Sequence, residues 1–102
     1  MEITEKKGLW YTIVHEDYTA YAKVYPEPSK FGIDGGHVSK LLVTGGCGLE
    51  IFHYDRGLDF DHSAGPIVSE FVAFCEQMIT HPVIAIINRI DDIYERILGN
   101  RL

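Results

Sequence analysis

The run YDRGLDFDH, residues 54–62, gathers Asp55, Arg56, Asp59, Asp61 and His62, the densest group of acid–base side chains in the chain. On extended backbone Asp59 and Asp61 alternate to one side. With His62 they would offer oxygen and nitrogen ligands to a divalent cation. Such a site would make a metal-dependent hydrolase or nuclease, with Arg56 stabilising the negative charge that develops in the reaction. The competing reading needs no ion. Asp55 and Asp59 shape turns, Arg56 pairs with one of them, and Asp61 supports a helix N-terminus. Metal-ligand sets usually draw on distant segments, and no second set at a defined spacing is visible, so the competing reading leads.

Other candidates are weaker. His15, His37, His53, His62 and His81 share no metal-binding spacing. Cys47 stands among glycines without a family-type nucleophile motif, and Cys75 falls on an apolar stripe. Gly32–Gly36 and Gly45–Gly48 both precede strand-like runs, so they read as turns rather than phosphate cradles. No catalytic residue, metal or cofactor is assigned. A non-enzymatic protein-interaction module is the leading expectation and the hydrolase the alternative.

Composition narrows the partners. Nine Lys and Arg stand against 15 Asp and Glu, a net charge of −6. Phosphate backbones and anionic membranes repel such a chain, so neither nucleic acid nor membrane is expected as a partner. The first residues lack a basic and then apolar leader, and Cys47 and Cys75 form no paired framework, which suggests the cytoplasm.

The elements that would position these residues follow from periodicity. Leu9–His15 and Tyr18–Tyr25 read as a hairpin about Glu16-Asp17, with period-two alternation in the second strand. Pro26 and Pro28 end that ladder, and a long loop leads to strands over Val38–Thr44 and Leu49–Tyr54. Helical spacing begins after Ser63-Ala64-Gly65-Pro66 and places Val68, Phe71, Val72, Cys75, Met78 and Ile79 on one face. After Pro82, the residues Val83, Ile86, Ile90, Ile93 and Ile97 step by three and four, an a/d seam suited to a second helix and a homodimer. The expectation is a single α+β domain over 1–102. A four-stranded, mostly antiparallel sheet would span about 8–55, with two C-terminal helices packed on one face over about 63–98 (β-β-β-β-α-α).

Three segments carry a resemblance: Glu27–Gly36 (EPSKFGIDGG), Val38–Leu41 (VSKL) and Tyr54–Gly57 (YDRG). Together they resemble a family of short uncharacterised proteins encoded by phages and prophages of Gram-positive bacteria. The similarity covers the middle third to half of the chain and stops before His81. It implies a phage or mobile-element origin, hence a host or phage protein as partner, and no reaction.

Overall fold

In the computed structural model, residues 1–80 are described. They form one antiparallel sheet of six strands and, among the described residues, one α-helix. The strands are β1 (Glu2–Lys7), β2 (Trp10–His15), β3 (Tyr18–Val24), β4 (Val38–Thr44), β5 (Glu50–Asp55) and β6 (Leu58–Asp61). Their order in space is their order in sequence, a simple meander. A short 3₁₀ turn, Ile33–Gly35, interrupts the β3–β4 loop, and α1 runs Ile67–Thr80. No described helix is long and apolar enough to cross a membrane.

The expected four-stranded sheet with two C-terminal helices is therefore corrected to six strands and one described helix. The expected second helix and the seam Val83, Ile86, Ile90, Ile93 and Ile97 lie outside the described residues. Both added strands are sheet edges. β1 is EITEKK, exposed throughout, and a charged edge lacks the alternation by which a half-covered strand announces itself. β6 is only LDFD, and its two carboxylates disguise it as a turn. Arg56 makes the hairpin that returns it, at φ 56°, while the Asp55 N–H donates to Gly57 O at 2.9 Å.

The core lies on one face of the sheet. Ile13, Ala20, Ala22, Val24, Val38, Leu41, Val43 and Phe52 meet Ile67, Phe71 and Cys75 of α1, which recur every four residues along its buried stripe. The helix lies over β3 and β4. Ala20 and Ala22 are directly opposite Ile13 and Tyr11 on β2, and their small side chains leave the helix room to approach. Gly65 at φ 72° turns the chain into α1 behind Pro66, whose carbonyl accepts from the Glu70 N–H and the Ser69 hydroxyl.

Burial separates the two cysteines. Cys75 is fully buried, and that burial, with the neighbouring Glu76 carboxylate second, pushes its thiol up to about 12. Cys47 is exposed. A thiol reagent at pH 8 should titrate one thiol in the native protein and two after unfolding. Fast reaction of both in the native state would contradict the packing of α1.

Candidate interaction surface

The β3–β4 loop is built by its own backbone. The Ser29 N–H donates to Gly36 O, Gly32 to Ser29 O, Gly35 to Gly32 O and Gly36 to Ile33 O, all at 3.0–3.2 Å. Two glycines are required by space. A Cβ on Gly32 would stand 1.9 Å from Gly36 O, and one on Gly36 would stand 2.1 Å from Glu76 Oε1. Asp34 takes φ 54° within the 3₁₀ turn.

Two side chains fasten this loop to the domain. Glu76 of α1 accepts from the His37 N–H at 2.7 Å through Oε1, and its Oε2 lies 2.5 Å from His37 Nδ1. Tyr54 of β5 donates its hydroxyl to Phe31 O at 2.8 Å. Thus the EPSKFGIDGG loop and the YDRG turn, separate in sequence, are joined in space. The Arg56 N–H donates to Ser39 O at 2.9 Å, which ties the same turn to β4. Asp55 sits between Lys40 Nζ at 3.6 Å and Arg56 Nε at 3.3 Å.

The meander places the β1–β2 turn, this loop and the β5–β6 turn at one end of the sheet. Every Lys and Arg of the described residues belongs to that end: Lys6, Lys7, Lys23, Lys30, Lys40 and Arg56. Exposed apolar side chains accompany them, namely Trp10 (42 % exposed), Tyr25 (37 %), Phe31 (49 %) and Leu58 (62 %). Lys23 lies over the Tyr25 ring at 5.3 Å and Lys30 over Phe31 at 5.2 Å. The opposite end, with no described Lys or Arg, carries Glu2, Glu16, Asp17, Glu50 and Asp61 beside exposed Met1 and Leu49, whereas the loop end also holds Glu27, Asp34 and Asp55.

The five residues singled out in the sequence are dispersed by this geometry. Asp55 and Arg56 belong to the loop end. Asp59 Oδ2 lies 2.9 Å from His53 Nδ1, partway along the β5–β6 pair. Asp61 is at the far end, where its Oδ1 accepts from both the hydroxyl and the N–H of Ser63. His62 stacks on Phe60 with ring centres 5.2 Å apart. Among the described residues no three His, Cys, Asp or Glu side chains come together to hold a metal ion. The Asp59, Asp61 and His62 ligand set is corrected accordingly: pairing across β5–β6 and capping by Ser63 claim the carboxylates.

The Ser63 hydroxyl first, and its N–H second, hold the Asp61 carboxyl below the usual carboxylate range. A depressed native pKa contributes stability above the ordinary carboxylate value of about 4, and that contribution disappears as pH falls through the native value. In Ser63→Ala the Asp61 carboxyl should titrate at higher pH, nearer the ordinary value, as followed by carboxyl-carbon NMR. An unmoved midpoint would mean that the hydroxyl does not supply the effect.

The His37–Glu76 clasp escaped the sequence because its members are 39 residues apart. The accessible signals were a Gly-Gly-His entry to a strand and a glutamate beside the buried Cys75 on α1. A family described as a domain of unknown function (DUF7678) matches residues 9–79. No curated protein and no solved structure matches the chain.

Proposed function

The chain belongs to the DUF7678 family, and we propose that it is a non-enzymatic interaction module that engages another protein through the loop end of its sheet. One observation carries this reading. Trp10, Tyr25, Phe31 and Leu58 are exposed at that end, which also holds all the described Lys and Arg side chains, Lys23 and Lys40 half-buried and the others exposed. Aromatic residues and arginine are what protein interfaces concentrate, and they supply most hot spots. The clasp and the Tyr54 tether support it further, because a loop ordered before binding loses less entropy on contact. The partner surface that fits is carboxylate-rich with apolar pockets.

A setting among phage or mobile-element proteins belongs to the same proposal. Its support is the resemblance carried by Glu27–Gly36 and Tyr54–Gly57, and it would make the partner a host or phage protein acting in the cytoplasm.

The test is capture from bacterial lysate with wild type and three variants of the full chain. A partner retained by wild type and by Glu16→Lys, at the far end, should be weakened at least tenfold by Phe31→Ala and by Arg56→Glu. Equal retention by all four proteins would exclude the loop end as the binding surface.

A further inference from the structure

We infer that copies of this chain associate head to tail, the loop end of one seated on the far end of the next. The inference rests on the loop-end reading for its cationic surface and makes the same chain the partner. Among the described residues the two ends differ in sign. The loop end sets Lys6, Lys7, Lys23, Lys30, Lys40 and Arg56 against Glu27, Asp34, Asp55 and Glu76. The far end sets Glu2, Glu16, Asp17, Glu50, Asp61 and Glu70 against no Lys or Arg.

Several of these charges have partners already. Asp55 lies 3.6 Å from Lys40 and 3.3 Å from Arg56, so those three together keep one positive charge. Glu76 is closed on His37 and Asp61 on Ser63, and His15 lies 3.9 Å from both Glu16 and Glu70. Lys6, Lys7, Lys23 and Lys30 at one end, and Glu2, Asp17 and Glu50 at the other, make no ion pair among the described residues.

A displacement along the strands brings these two sets together. Both ends of the meander run across in the same order, β1 to β6, so each strand meets its own counterpart in the next copy. At the β1–β2 edge, Lys7 and Trp10 come to the next copy's Glu2 and Met1. At the centre, Lys23 of β3 comes to the next copy's Asp17, which directly precedes β3. At β5–β6, Arg56 and Leu58 come to the next copy's Glu50 and Leu49. Cation thus meets carboxylate. Exposed apolar side chains also meet, with Trp10 and Leu58 at 42 % and 62 % and Met1 and Leu49 at 38 % and 65 %. A twofold contact between two loop ends or two far ends would set like charge on like, which selects the head-to-tail arrangement.

Such a contact does not close on itself. Each added copy leaves one loop end and one far end open, so assemblies lengthen with concentration and have no fixed number of copies. An end six strands wide at about 4.8 Å spacing, with sheet and helix layers each about 10 Å deep, offers roughly 500 Å². Two ends together bury about 1,000 Å², the size of weak and reversible contacts.

The test is sedimentation and light scattering of the full chain alone. Between about 20 µM and about 1 mM the average mass of wild type should rise at least about twofold, and about 1 M salt should return it toward the monomer. Lys7→Glu combined with Arg56→Glu, and separately Glu2→Lys combined with Glu50→Lys, should stay monomeric with unchanged circular-dichroism spectra. Mixing these two variants in equal amounts should restore growth, because each supplies the end that the other needs. Both keep a net negative charge, so overall attraction does not produce that result. Wild type that stays monomeric would overturn the inference and leave the loop-end reading to the lysate capture. Association that persists in either variant alone, or a mixture that stays monomeric, would overturn it too.

Discussion

Glu76→Ala should lower the melting temperature by roughly 10–20 °C, corresponding to about 2–4 kcal/mol for a chain of this size. The Glu76 carboxylate receives the His37 N–H at 2.7 Å and faces its ring nitrogen at 2.5 Å. Both side chains are more hidden than exposed, at 13 % and 27 % of their surface. Removing the acceptor strands a backbone donor at the mouth of β4, and charge-assisted bonds of this kind contribute about 1.5–3 kcal/mol each. Gly36→Ala offers a cross-check, since its methyl group would displace the same oxygen. The two substitutions remove one interaction, so the double variant should cost clearly less than the sum. Thermal melts of all three decide it. A shift under about 3 °C for Glu76→Ala would mean that the clasp is not what holds the loop on α1.

Phe71→Ala should be more damaging, with a loss of about 3–5 kcal/mol out of the roughly 5–15 kcal/mol available to a domain. Phe71 is fully buried, sits midway along the α1 stripe and meets the His15 ring edge-on at 6.5 Å. The facing sheet residues include Ala20 and Ala22, which have little side chain to move into the vacated space. Urea unfolding should show a lower midpoint with an unchanged slope. Val72→Ala, on the half-buried flank of the helix, should lose about 1 kcal/mol. A Phe71→Ala loss as small as that of Val72→Ala would mean that α1 does not cap the sheet at this point.

The interior of the fold was legible in the sequence and its rim was not. The YTAYAKV alternation foretold β3 because that strand has a covered and an open face. The stripe through Phe71 and Cys75 foretold α1 for the equivalent reason. Edge strands escape such a test: β1 has no covered face to register, and β6 is too short to show a period. The candidate site divides along the same line. Asp55, Arg56 and the glycines of 32–36 drew notice through local composition, and the structure brings their two segments together through Tyr54 and Phe31. The Glu76 clasp, and the sorting of charge between the two ends, depend on which strand ends meet. That is a property of topology, and one-dimensional spacing does not hold it.

The family match begins at residue 9, just past the end of β1. In a meander whose every strand bonds to its sequence neighbour, a terminal strand can be gained or shed without rethreading anything. β1 therefore behaves as a detachable selvedge. Trimming, lengthening or exchanging it would leave every other strand pair in place, as a hem can be taken up on whole cloth.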